Sequence, residues 1–351
     1  MSESSFITLK KTDVEFKKYL RGDVSSDWLP IPVESINLQQ SNESVTFRKL
    51  PVSEVSRPFF WFFTLIRIEL IILTLAPAFC VGLYLHTLKF SFSNIDFGLS
   101  LLSLLFLHMS IYCMNDYLDH MGGVDRVNDK GGSHVIQKGW IRARSVFILG
   151  GAFMAGAIAF ATPLFLQNKV IFYLALFVFG ILGMGYFLAR WKVQAPTITL
   201  FILFLLFGPA LTLSTEWLLV QNTSVNSLLL GTYFGLMTVT YVHGKQILCM
   251  ATDQMAGIKS LAVQLGIDKS VKVLRVLCVL SVLIYATAFY QLSMNLSYVL
   301  VLALLPSLIF VIRQIRQIQS PFSSHLHNTY RRVLRMYGES VILLILSWVL
   351  F

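Results

Sequence analysis

The sequence predicts an all-α integral membrane protein of about nine transmembrane helices, and three observations carry that reading. Of 351 residues, 56% are hydrophobic and only 13% are charged, with a mean hydropathy of +0.69. That is too apolar for an ordinary soluble domain. The apolar runs reach about twenty residues, enough to cross roughly 30 Å of hydrocarbon as helix, and lack the alternating pattern of membrane strands. Finally, the connections between runs alternate in Lys and Arg content, as membrane topology requires.

Spans are expected near 59–86, 96–115, 145–166, 170–189, 196–219, 226–249, 271–292, 296–315 and 331–351. One set of connections is rich in cations: Arg48, Lys49 and Arg57; Arg126, Lys130, Lys138, Arg142 and Arg144; Arg190 and Lys192; Lys259 and Lys269; then Arg313, Arg316, Arg331 and Arg332. The other set shows Lys89 and Lys169. The bias predicts a cytoplasmic N-terminus. Residues 1–56 read as a polar cytoplasmic extension without a signal peptide, and 57–351 as the membrane domain.

The formal charge of +10 does not imply nucleic acid, because its cations lie in loops between spans. Cys80, Cys113, Cys249 and Cys278 lie in or beside apolar runs without a CxxC spacing, so buried free thiols are expected rather than disulfides or zinc. His325 and His327 lie in a polar connection with no clustered Cys or acid and read as surface residues.

Two basic-side connections, 116–144 and 250–270, also carry acids and glycines. They are separated by four spans, which points to two related halves that bring their loops to one face. The first opens Asn115-Asp116-Tyr117-Leu118-Asp119 and continues to Asp125 and Asp129. Asp116 and Asp119 are one helical turn apart and share a face with Asn115. Acids at a helix end can simply face water. Burying the whole array at a membrane boundary requires cations or donors, and Mg2+ suits carboxylates that leave room for substrate phosphates. The stretch Gly131-Gly132-Ser133-His134-Val135-Ile136-Gln137-Lys138-Gly139 offers backbone donors and a cation suited to phosphate.

These residues resemble the first motif of the UbiA superfamily of intramembrane prenyltransferases, nearest its 1,4-dihydroxy-2-naphthoate branch of menaquinone synthesis. Gly132 and His134 stand where that branch has Pro and Arg. Further similarity covers Arg57-Pro58-Phe59, Ala76-Pro77, Phe207-Gly208-Pro209, and Asp253 through Gly257 to Leu261-Ala262-Val263-Gln264-Leu265-Gly266. The resemblance implies a nine-helix bundle, Mg2+, a prenyl diphosphate and an aromatic acceptor. It implies metal ligands at Asn115, Asp116, Asp119, Asp125 and Asp253, with Asp116, Asp119 and Asp253 catalytic. It implies diphosphate contacts at Asn115, Lys138, Arg142, Tyr186, Arg190, Lys192 and Lys259. A multi-pass protein of a bacterial inner membrane, with active-site loops on the cytoplasmic side, is the implied setting.

The second motif departs from the pattern: Cys249 occupies the place of its first aspartate, and Lys245 that of an Asn. A thiol is a soft, poor ligand for Mg2+. Lys245 either neutralises diphosphate or pairs with an acid. Arg67 and Glu69, charged within the first span, either serve the acceptor or form a structural pair. A cyclase or diphosphate lyase, a transporter and an inactive homologue are the competing functions.

Overall fold

The computed structural model describes residues 5–33, 44–167, 196–292 and 296–350. The polar N-terminal stretch, expected only as an extension, folds. Strands β1 (Phe6–Lys10), β2 (Trp28–Pro32) and β3 (Ser44–Pro51) form an antiparallel sheet in the order β1-β3-β2. The register pairs Phe6 with Arg48 and Trp28 with Pro51. Alternation along β3 buries Val45 and Phe47 on one face. Helix α1 (Phe16–Arg21) covers that face with Phe16, Tyr19 and Leu20 and ends at Gly22, whose φ of 76° suits a left-handed cap.

Helix α2 (Trp61–Leu65) leads to Arg67, where φ is 49°. A short 3-10 turn, Ile68–Leu70, then runs into α3, Ile71–Thr87. The expected span 59–86 is therefore broken at Arg67, and its membrane-capable part is Ile68–Thr87. A left-handed conformation is unfavourable for a residue with a Cβ by roughly 1 kcal/mol, so something must hold Arg67 there.

Helix α4 (Asn94–Gly122) starts under Ser93, whose side chain accepts from the Asp96 amide at 3.2 Å. Helix α5 (Ala143–Leu166) packs back along it. Ser103 donates to the Ala157 carbonyl at 2.7 Å and Ser110 to that of Gly150 at 2.8 Å. Such small polar residues join helices in lipid, where apolar burial offers no driving force between them.

Helix α6 (Pro196–Leu205) passes through a π-helical turn, Leu206–Ala210, into α7, Leu211–Val220. Gly208 leaves helical geometry there, and Pro209 lacks the N–H that would close the ladder. The remaining elements are α8 (Val225–Leu248), α9 (Met250–Met255), α10 (Leu261–Leu292), a 3-10 stretch Leu296–Leu304, α11 (Leu305–Arg316) and α12 (His325–Leu350).

Among the described residues, six helices are long and apolar enough to cross a membrane: 68–87, 94–122, 143–166, 196–220, 225–248 and 261–292. The expected fourth span, 170–189, lies outside the described residues. The expected spans 296–315 and 331–351 fall on the 3-10 stretch with α11 and on α12, which are not among the six. The protein is a multi-pass membrane protein.

Its core centres on aromatic residues of α8, α10 and α12. The ring of Tyr233 lies 4.8 Å from that of Tyr285 and 5.2 Å from that of Phe234. Both tyrosine hydroxyls meet Ser340, Tyr285 donating to its carbonyl at 2.9 Å and Tyr233 bonding its hydroxyl, so these two phenols keep partners in the apolar interior.

Candidate active site

Helix α4 carries its apolar run straight into the acidic motif, so Asn115, Asp116 and Asp119 arrive buried, at 2%, 2% and 3% exposure. The helix stops at Gly123, whose φ of 81° lets its amide reach the Asp119 and His120 carbonyls. Any Cβ there would meet the Arg126 guanidinium at 2.0 Å. The short 3-10 turn that follows buries Asp125.

Each buried carboxylate meets donors. Asp116 accepts from Arg67 Nη2 at 2.7 Å and from the Ser133 hydroxyl. This pair explains the break in the first span: the left-handed turn places a guanidinium against α4. Arg67 also lies 4.9 Å from the Tyr112 ring centre. Asn115 Nδ2 donates to Asp119 Oδ2 at 3.2 Å, and Gln137 Nε2 to Asp125 Oδ2 at 2.9 Å. Burial, with Asp119 and Asp116 close by, holds the Asp125 carboxyl well above the usual carboxylate range. Burial likewise lowers the basicity of His134.

The second loop approaches from α8 and α9. Lys245 Nζ donates to the Lys130 carbonyl of the first loop and lies 4.9 Å from the Tyr330 ring centre. Between the two loops opens a cavity of about 170 Å3, with Asn115 and Gly131 on one side and Lys245, Cys249, Asp253, Lys259 and Ser260 on the other. Its wall is mostly apolar, through Leu70, Leu73, Ile111, Leu203, Phe207 and Val242, with Arg67, Thr74, His108 and Thr238 among them. Asn115 Oδ1 and Ser260 Oγ are buried without a protein partner. Both belong to residues lining this cavity, and unpartnered polar atoms of this kind are costly unless a ligand meets them.

The site expectations are placed unevenly. Asn115, Asp253, Lys245 and Lys259 line the cavity, while Asp116, Asp119 and Asp125 lie buried outside its lining. Lys138 is exposed, with its ammonium 4.6 Å from the Trp140 ring centre. Arg142 reaches the N-terminal domain, donating to the carbonyls of Ser25 at 2.7 Å and Ser26 at 3.4 Å. Neither Lys138 nor Arg142 lines the cavity. Tyr186, Arg190 and Lys192 lie outside the described residues.

Reading Gly131–Gly139 as a phosphate cradle missed what its side chains do. Ser133 and Gln137 are donors to the acids, and Ser260 also went unnoticed. The signal available was stoichiometric: several buried acids need several donors. Arg67, singled out as a charge within a span, pairs with Asp116 and also lines the cavity.

Among the described residues no three His, Cys, Asp or Glu side chains stand close enough to hold a metal by themselves. The donor chemistry nevertheless fits a hard cation. Asn115 supplies a buried oxygen without a partner, and Asp253 faces it across the same cavity. Oxygen ligands from a few side chains, completed by substrate and water, are what Mg2+ takes.

The sequence pattern of the UbiA prenyltransferase family matches residues 74–333. The chain belongs to this family. Solved UbiA-type structures share its fold. A UbiA homolog from Archaeoglobus fulgidus, bound to GPP and Mg2+, is 18% identical with a TM-score of 0.57, covering 81% of this chain and 99% of that one. A digeranylgeranylglyceryl phosphate synthase is 14% identical with a TM-score of 0.58, covering 83% and 98%. The apo UbiA homolog from Aeropyrum pernix K1 is 15% identical with a TM-score of 0.58, covering 79% and 98%. No curated protein sequence matches significantly. In this UbiA family member, as expected from the four spans that separate the two acidic connections, two loops from separate parts of the chain border one cavity.

Proposed function

We propose that this UbiA protein is a Mg2+-dependent prenyltransferase that moves an isoprenoid group from its diphosphate to an aromatic acceptor of the dihydroxynaphthoate kind, as in menaquinone synthesis. One observation carries the proposal: a single cavity joins a mouth of amide oxygen, carboxylate and ammonium groups to an apolar wall. That gradient matches a molecule with a charged head and a hydrocarbon tail. The Archaeoglobus homolog bound to GPP and Mg2+ supports the same ligand class.

The metal would be held by Asn115 and Asp253 at the cavity wall together with Asp116, Asp119 and Asp125, which lie buried outside that lining. A bound Mg2+ neutralises and orients the diphosphate. The protein's own cations act with it. Lys245 and Lys259 face the cavity and would stabilise charge that grows on the leaving diphosphate as the allylic carbon–oxygen bond breaks. The Ser260 hydroxyl opens α10 and is free to donate to a phosphate oxygen there. Tyr186, Arg190 and Lys192 are proposed to complete the phosphate contacts. The apolar wall shields the allylic cation from water. The acceptor ring carbon attacks the cation, and its carboxylate then leaves as carbon dioxide, returning the bonding pair to the ring; an aspartate at the cavity mouth would hold the acceptor hydroxyl proton during the attack and return it as the carboxylate leaves.

The domain division is proposed as residues 1–56 outside the membrane and 57–351 within it. The setting proposed is a bacterial inner membrane with both loops on the cytoplasmic side.

Cys249 tests the metal assignment. It is 3% exposed and lines the cavity, where a carboxylate would add a hard ligand. Cys249→Asp is expected to lower the Mg2+ concentration for half-maximal turnover by about threefold or more, since affinity follows ligand charge. An unchanged or higher requirement would place the metal away from this wall.

The function itself is tested by mass spectrometry after incubating the purified chain and Mg2+ with geranyl to octaprenyl diphosphates and dihydroxynaphthoate or hydroxybenzoate. A prenylated aromatic with release of pyrophosphate is expected. Diphosphate consumed without acceptor would identify a cyclase or lyase, and no consumption would reject both readings.

A further inference from the structure

The acidic loop is gripped by a part of the chain that precedes the family match, which begins at residue 74. The N-terminal sheet domain touches the segment 120–144 at both ends. At its start, His120 Nε2 and the Leu20 carbonyl are 2.8 Å apart, and Met121 packs into the small core of Phe16, Tyr19 and Phe47. Farther along, Gly139, with φ of 70°, lies so close beneath β2 and β3 that a Cβ would stand 2.6 Å from Leu50 Cδ2. At its end, Arg142 donates to the Ser25 and Ser26 carbonyls, and Arg144 meets Asp23 at 3.6 Å. The void left at this junction is about 10 Å3, too small for a comfortably ordered water. The two surfaces are packed together.

A relay runs inward from this contact. In the cap of α1, the Gly22 and Asp23 amides turn to Lys18 and Tyr19, leaving the Leu20 carbonyl as one of the acceptors a helix end must satisfy elsewhere. A carbonyl only accepts, so His120 Nε2 carries the proton and Nδ1 is the acceptor. Gln137 Nε2 then donates one hydrogen to His120 Nδ1 at 3.1 Å and the other to Asp125 Oδ2 at 2.9 Å. The direction of every donor follows from the carbonyl at the outer end.

We propose that the N-terminal residues 5–33 and 44–51 are a positioning clamp for the acidic loop, in which the Leu20 carbonyl, acting through the positioning residues His120 and Gln137, sets the orientation of Asp125. The effect on metal rests on the prenyltransferase reading; the effect on the loop does not. A ligand-supporting hydrogen bond of this kind is typically worth about 10–100-fold in metal affinity.

The test uses the full chain in detergent, with His120→Leu, His120→Gln and, away from the relay, Arg142→Ala. Three quantities are read: hydrogen exchange of 123–140, Mn2+ binding by electron paramagnetic resonance, and Mg2+-dependent turnover. His120→Leu and Arg142→Ala are expected to speed exchange about tenfold as the loop opens locally. His120→Leu is expected to weaken Mn2+ binding about tenfold, with turnover recovering at saturating Mg2+. A Gln amide can both donate to Leu20 and accept from Gln137, so His120→Gln should stay near wild type. Unchanged loop exchange in His120→Leu, or equal damage in His120→Gln, would overturn the clamp. If exchange responds as stated and the wild-type chain binds no Mn2+, the clamp stands and the metal reading fails.

Discussion

Asp116→Asn is expected to remove turnover and lower stability together. Asp116 is 2% exposed, 2.7 Å from Arg67 Nη2, and also accepts from Ser133. The neutral amide keeps the size of the side chain but leaves the guanidinium without its counter-charge. Breaking a buried pair from one side costs about 3 kcal/mol or more, and here that pair also holds the left-handed backbone at Arg67. Turnover should fall at least about 100-fold, the scale of losing a placed electrostatic group in an active site. Thermal unfolding in detergent and single-turnover rates measure the two effects. In a double-mutant cycle, Arg67→Met with Asp116→Asn should be more stable than Asp116→Asn alone, because no charge is then stranded. Equal stability of wild type and Asp116→Asn would show that the pair does not support the break.

Gly235→Ala is expected to produce a large loss of stability by a single methyl group. Helix α8 meets the π-helical turn through glycine: a Cβ on Gly235 would stand 2.4 Å from the Phe204 carbonyl oxygen, and one on Gly231 2.7 Å from Pro209 Cα. Because these obstacles include backbone, relief requires moving the helices apart, which costs about 3 kcal/mol where packing cannot yield. The same displacement widens the cavity wall at Leu203, Phe207 and Val242, so turnover should fall as well. Gly98→Ala is the control. Nothing lies within 4 Å of its Cβ position, and alanine in a helix gains about 0.5–1 kcal/mol over glycine. Unfolding temperatures of the two variants that failed to separate would refute this account of the contact.

Membrane-length helices and the acidic motif were legible in the sequence because both are local patterns: apolar runs, and acids spaced by one helical turn in α4. The cavity was partly legible, since loops on the same side of the membrane have a common place to meet. The break at Arg67 was not, because left-handed backbone in an arginine follows from a partner on another helix, Asp116. The N-terminal sheet was missed for a different reason. Its strands are short, and Phe16, Tyr19, Val45 and Phe47 make a core too small to raise local hydropathy. Arg142 shows the limit of assigning roles by charge and proximity to a motif: its guanidinium is drawn to the Ser25 and Ser26 carbonyls, a contact that depends on a fold the composition does not announce. Ser133 and Gln137 lie in a glycine-containing stretch where nothing local marks a side chain as the partner of a buried acid on another segment.

The central claim is that the two loops form one Mg2+-dependent diphosphate site. It is tested most directly by binding of the unreactive geranyl thiolodiphosphate to the wild-type chain, to Asp119→Asn and to Asp253→Asn, with Mg2+ and with chelator. The account predicts Mg2+-dependent binding to wild type that either substitution weakens at least about tenfold. Wild-type affinity in either variant, or binding indifferent to Mg2+, would contradict it.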